Sequence, residues 1–158
     1  MSSSFGNALR LTLFGQSHSE GIGAVLDGLP AGETIDMELV QAFLARRAPG
    51  QSALTTQRVE SDTPTVLSGL WEGKTCGAPL CAVFPNADVR SADYAALRDV
   101  PRPGHADFPA HMKFSGHNDI RGGGHFSARL TAPLCFAGAV AMQILARRGI
   151  HIGAHIAS

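Results

Sequence analysis

Apolar and polar residues alternate in the stretch ALRLTLFG at 8–15. Leu9, Leu11 and Leu13 fall on one face and Arg10 and Thr12 on the other. A period of two marks a half-buried strand. The stretch IGAVLDGLPAGE at 22–33 predicts a second strand ending in a turn of Gly and Pro. The period then changes. In MELVQAFLARR at 37–47, Leu39, Val40, Phe43 and Leu44 share the face of a helix. Asp36 is placed to cap its first turn, and Arg46 and Arg47 close it where positive charge suits the helix dipole. Two further strands are predicted in TTQRVESDTPTVLSGLWEG at 55–73 and GAPLCAVFPN at 77–86, joined by the turn EGKTCG, with a short helix in SADYAALRD at 91–99. Residues 100–126 hold Pro, Gly and His but few periodic apolar positions, which predicts a long irregular segment. Such segments inside compact domains commonly carry function. A helical pattern runs from Ser127 to Arg148, with Pro133 in its first turns and Gly149 as its stop, and IHIGAHI at 150–156 reads as a last strand. This order predicts an α+β fold with antiparallel sheets.

Composition narrows the picture. A chain of 158 residues suffices for one domain with a real core. Thirteen basic residues balance thirteen acidic ones, which argues against a broad nucleic-acid face. No unbroken apolar run reaches the ~18 residues of a membrane span. The start MSSSFGNALRL lacks the charged and apolar regions of a secretory signal, so none is evident. Cys76, Cys81 and Cys135 fit neither a disulfide framework nor a zinc site, and are expected to be reduced and mostly buried thiols.

Three stretches carry candidate chemistry. In FGQSHSEGIG at 14–23, Ser17 and His18 sit side by side after a strand. Such a pair can relay a proton, or can simply be a polar turn. In RPGHAD at 102–107, His105 lies between Arg102 and Asp107 on a loop stiffened by proline. Four of the seven histidines fall between 105 and 125, but without the spacing of a metal site. In DIRGGGHFSAR at 119–129, three glycines precede a helix and arginines flank them. This suits an anion, with a tight structural turn as the rival reading. RRAPGQS at 46–52 adds two arginines, suited to phosphate or carboxylate if they are not merely solvated.

Taken together, FGQSHSEGIGAVLDGLPAG, RRAPGQS, TTQRVESD, LSGLWEGKTCGAPL, RPGHAD and RGGGHFSAR resemble, in order, the motifs of the chorismate synthase family. The resemblance covers nearly the whole chain and corresponds to the N-terminal portion of the family's single domain, here 1–158. It implies a β-α-β sandwich with helices between antiparallel sheets, of which this length carries part. It also implies a lyase that converts 5-enolpyruvylshikimate 3-phosphate to chorismate and phosphate by 1,4-elimination with reduced FMN. In some members NADPH reduces the flavin. The complete chain would form a cytoplasmic homotetramer with no nucleic-acid or membrane partner.

Residue by residue, the resemblance implies that His18 protonates the leaving phosphate and that His105 supplies a proton at the flavin. Ser17 and Ser127 would assist proton relay. Arg47, Arg102 and Arg129 would grip the substrate, with Arg47 also linked to NADPH. His125, Phe126 and Ser127 would contact the flavin. No metal is implied. Gln16, Ser19, Ala48, Ala53 and Leu130 depart from the common motifs, and HFS stands where RSS is frequent. The family's further flavin contacts lie beyond the portion matched. A second reading is therefore a non-catalytic fragment that keeps weak phosphate or flavin binding, and a zinc-binding module is a distant third.

Overall fold

The computed structural model describes residues 3–48, 62–87, 94, 100–155 and 157. Seven strands are present among the described residues: β1 Ser4–Phe5, β2 Arg10–Gly15, β3 Gly21–Asp27, β4 Thr65–Ser68, β5 Leu70–Trp71, β6 Lys74–Thr75 and β7 Leu80–Pro85. The helices are α1 Met37–Ala45, α2 Asp107–Lys113 and α3 Thr131–Ala146. Five strands form one antiparallel sheet in the order β1-β2-β3-β7-β4, while β5 and β6 make a separate two-stranded ribbon.

The register explains which face is buried. Ile22 pairs with Phe84, Ala24 with Ala82 and Leu26 with Leu80 across β3 and β7. All six are buried. Alternation places them on one side of the sheet. Helix α3 lies against that side, with the Phe136 ring edge-on to Phe84 at 6.2 Å between centroids. Helix α1 packs beside α3 through Val40 and Leu44. The described residues thus form an α+β unit: an antiparallel sheet with α3 on one face and α1 beside it.

Helix α1 starts as its sequence predicts. Asp36 Oδ1 accepts from the backbone N–H groups of Glu38 and Leu39 at 2.9 and 3.2 Å. Of its predicted apolar face, Leu39 turns out to solvent. Helix α3 begins at Thr131 after a short turn over Ala128–Leu130, four residues later than its pattern suggests. It ends at Ala146, and Gly149 closes its C-terminus as predicted. Gly149 N–H donates to Ala146 O and Ile150 N–H to Leu145 O, both at 3.0 Å, a Schellman stop with positive φ at the glycine. The stretch Arg121–Ala146 is apolar and long enough to cross a membrane by composition, but half of its most apolar window is buried, as in a core helix.

Four expectations change. The segment 100–126 contains helix α2, which the pattern concealed because Phe108 and Met112 face outward while Ala110 and Asp107 are buried. The turn EGKTCG is part of the β5–β6 ribbon. The last strand at 150–156 is not formed among the described residues: His151–His155 join no ladder, and a strand needs a partner for its backbone groups. The thiols are less buried than expected, with Cys76 exposed and Cys81 and Cys135 half-buried. Of the strand predicted over 55–73, residues 55–61 lie outside the described residues and the rest forms β4 and β5, and the helix at 91–99 lies outside them except for Tyr94.

Candidate functional site

The glycine turn organises the site. Gly122, Gly123 and Gly124 have φ of 58°, 88° and 55°, a run that side chains oppose. Absence of side chains also permits close approach. A Cβ on Gly122 would lie 2.2 Å from His18 Cε1, and one on Gly123 would lie 2.7 Å from His105 Nε2. Two imidazoles that are 87 residues apart in sequence therefore press on adjacent glycines of one turn.

The Ser17–His18 pair sits in the turn between β2 and β3, and both residues are buried. The Ser17 hydroxyl donates to Arg121 O at 3.1 Å, and Ser17 N–H donates to Gly124 O at 3.1 Å. Ser17 Oγ is also 3.1 Å from His18 Nδ1. A hydroxyl has one proton, already given to the carbonyl, so Nδ1–H is the donor in this second bond. The His18 and Tyr94 rings meet edge to face at 4.9 Å between centroids. Tyr94 in turn lies 6.0 Å from the Arg102 guanidinium.

His105 is held from the other side. Its Nδ1 is 2.8 Å from Asp107 Oδ1. Arg102 grips the same carboxylate through Nε at 2.8 Å, NH2 at 2.9 Å and its backbone N–H at 3.0 Å. This bidentate grip holds the Asp107 carboxyl at about 2, well below its ordinary 3.8, and raises the Arg102 guanidinium. Arg102 NH2 also lies 3.4 Å from His105 Nδ1. The guanidinium donates to Nδ1 when that nitrogen carries no proton.

Arg47 and Arg129 converge on one residue. Asp62 is buried, and each of its carboxylate oxygens bonds one of the two guanidinium groups. Arg129 is itself buried and donates through Nε to Asn86 Oδ1 at 3.2 Å and through NH2 to Pro85 O at 3.4 Å. Asn86 Nδ2 donates to Gln16 O and Ser19 O, both at 2.9 Å, so the same side chain ties Arg129 to the turn carrying His18.

The remaining predicted residues have structural partners. Ser127 Oγ accepts from Arg129 N–H at 3.2 Å and caps the turn before α3. His125 has both nitrogens engaged, with Nδ1 2.8 Å from Gly15 O and Nε2 2.6 Å from Ser3 Oγ. The Phe126 ring is partly exposed and lies 6.2 Å from Phe114. These two rings, His125 and Asn118 line a cavity of about 330 Å³. The buried Oδ1 of Asn118 has no hydrogen-bond partner there. Among the described residues no group of three His, Cys, Asp or Glu is placed to hold a metal.

The structure thus brings Ser17, His18, Arg102, His105 and the glycine turn together, and links Arg47 and Arg129 to them through Asp62 and Asn86. Sequence reasoning missed Asp62, Asn86 and the grip of Asp107. TTQRVESD contained Asp62 in its quoted motif, but nothing local marks an acid that two distant arginines bury.

The family model described as "Chorismate synthase" matches residues 9–158. A chorismate synthase of Korarchaeum cryptofilum is 50% identical over 151 residues, covering 96% of this chain and 42% of that protein. One of Porphyromonas gingivalis is 51% identical over 150 residues, covering 95% and 40%. One of Methanococcoides burtonii is 49% identical over 152 residues, covering 96% and 41%. A crystal structure of chorismate synthase superposes with a TM-score of 0.63 at 28% identity, over 90% of this chain and 35% of that one. The chain spans about 42% of the length of the first of these curated relatives. With a match that covers nearly all of it, this chain belongs to the chorismate synthase family.

Proposed function

We propose that this chain supplies the proton-transfer and anion-gripping part of a lyase that converts 5-enolpyruvylshikimate 3-phosphate to chorismate and phosphate. The carrying observation is the pair of imidazoles pressed on adjacent glycines, His18 at Gly122 and His105 at Gly123. In a 1,4-elimination the bond to phosphate breaks, a ring proton leaves and a second double bond forms, with no net oxidation. Phosphate leaves readily only if its charge is neutralised. His18 is assigned to protonate it, with Ser17 fixing the ring through Nδ1. His105 is assigned to supply a proton at the flavin. Arg102 sits beside His105, and Arg47 and Arg129 supply cationic groups for the phosphate and carboxylates of the substrate.

The chain's residues fit a flavin. The flat rings of Phe114 and Phe126 flank a cavity, and the unpartnered Asn118 Oδ1 suits a ring N–H. FMN would lie against His105 and the turn His125, Phe126 and Ser127, where it supplies the electronic chemistry of the elimination. His125 would offer it a ring face or edge, because both its nitrogens are taken. NADPH, a homotetramer and a cytoplasmic location belong to this reading on the resemblance alone. The balance of thirteen basic and thirteen acidic residues supports the absence of a nucleic-acid partner, and the burial of α3 supports the absence of a membrane one.

The test is anaerobic incubation of the chain with the substrate and reduced FMN. Release of inorganic phosphate together with chorismate supports the reading. The second reading, a non-catalytic fragment, draws only weak support from the share of the relatives' length that the chain spans. Binding of phosphate or FMN without any product would select it.

A further inference from the structure

We infer that Asn86 is a positioning residue that locks the turn carrying His18 to the Arg129 guanidinium, so that the proton donor and the anion grip keep one fixed placement. The inference deepens the proposed function and rests on it for the roles of His18 and Arg129, but not for the geometry.

Asn86 follows the last residue of β7, where the sheet ends beside the turn between β2 and β3. Its backbone N–H donates to Glu20 O at 3.1 Å, which sets its side chain against that turn. The side-chain oxygen accepts from Arg129 Nε at 3.2 Å. Nδ2 donates to Gln16 O and to Ser19 O, each at 2.9 Å, and these two carbonyls bracket Ser17 and His18. The three bonds fix the orientation of the amide. Turned over, it would set its NH2 against the Arg129 N–H and its oxygen against two carbonyls. Of side chains this short, only an amide accepts from a guanidinium on one side and donates to two carbonyls on the other. Arg129 cannot drift, because it is buried and bonded to Asp62 as well. The far side of the turn is held by Ser17, whose N–H donates to Gly124 O at 3.1 Å. His18 is thus fixed between the glycine turn and the guanidinium.

Replacing Asn86 by Asp separates the two ends of this link. The carboxylate has nearly the same shape and still accepts from Arg129 Nε. It carries no proton for Gln16 O and Ser19 O, so two hydrogen bonds become two contacts between acceptors. The turn is released while Arg129 keeps its partner. Asn86→Ala removes the same two bonds without adding charge.

The experiment follows the ¹⁵N-labelled chain and both variants by NMR, and the amide spectrum reports whether each variant stays folded. Without ligand, the Ser19 amide, which donates to Gln16 O, should exchange with solvent roughly 10–100-fold faster in both variants, as the loss of two hydrogen bonds dictates. An unchanged rate in either folded variant overturns the inference. Titration with 5-enolpyruvylshikimate 3-phosphate then separates positioning from mere stability. It is carried to saturation, because the charge added in Asn86→Asp weakens anion binding. In the unaltered chain the Arg129 Nε–H and His18 ring signals should move together. In either variant the Arg129 signal should still move, and the His18 shift should be largely lost. A full His18 response in a variant overturns the inference. In an active preparation, phosphate release at saturating substrate should fall on the order of 10²-fold, the cost of misplacing a reacting group. Faster exchange in the variants, with neither signal answering the substrate in the unaltered chain, would sustain the placement by Asn86 and remove the proposed function, so the two failures are distinguishable.

Discussion

Replacing Asp62 by Ala tests the arginine grip. In the intact chain one buried carboxylate serves two guanidinium groups, Arg47 from the end of α1 and Arg129 from the turn before α3. Removing one partner of a buried ion pair costs about 3–5 kcal/mol, because the other charge stays buried without it. The Arg129 side chain is 5% exposed, so this figure applies to it. Its bonds to Asn86 Oδ1 and Pro85 O survive the change and favour the lower end of the range. The Arg47 side chain is 20% exposed and can turn to water, so its share is about 0–1 kcal/mol. The sum is about 3–4 kcal/mol, set against a total stability of about 5–15 kcal/mol. Urea unfolding followed by circular dichroism measures it. Asp62→Asn, which can accept from one arginine but not both, should lose roughly 1.5–3 kcal/mol. Inorganic phosphate should then stabilise Asp62→Ala more than the unaltered chain, by up to about 2.7 kcal/mol at a hundred times its Kd. A loss below about 1 kcal/mol in Asp62→Ala would refute the reasoning, since a buried charge cannot lose its counter-ion so cheaply.

Other predictions concern the turn and the acid range. Gly122→Ala should displace His18, because its Cβ would meet the ring at 2.2 Å from Cε1 at a φ of 58°. A His18 side-chain NMR signal unchanged in that variant would contradict the packing. Asp107 has a folded value of about 2 against an ordinary 3.8, a depression whose stabilisation is present above the ordinary value and lost as pH falls through the folded one. Part of Arg102 faces solvent, so about 1–2 kcal/mol of stability should disappear between roughly pH 4 and pH 2, and Asp107→Asn should flatten that portion of the acid unfolding curve.

Much of this arrangement is legible in the chain alone, for physical reasons that differ by element. The strand β2 and helix α1 follow local period and capping, which tertiary contacts here reinforce. The glycine turn and His18 stand out because Gly runs and Ser–His neighbours are rare chemistry. Asp62 does not stand out. Its burial depends on arginines 15 and 67 residues away, and an acid in a polar stretch ordinarily reads as solvated. Asn86 is equally silent, since it looks like the end of a strand until its amide joins Arg129 to the His18 turn. Helix α2 is hidden for another reason: Phe108 and Met112 are exposed, which inverts the pattern from which amphipathic helices are read.

The central claim is that His18, His105 and the glycine turn form one site for a phosphorylated, anionic substrate. The direct measurement is a titration of the labelled chain with 5-enolpyruvylshikimate 3-phosphate, followed by the amide signals of Gly122 and Gly123 and the ring signals of His18 and His105. All four should move together with a single Kd, and Arg129→Ala should weaken that Kd without changing which signals move. Shifts confined to another surface, such as the apolar groove beside Phe5, Phe43 and Leu134, would contradict it, as would two histidines responding with different affinities.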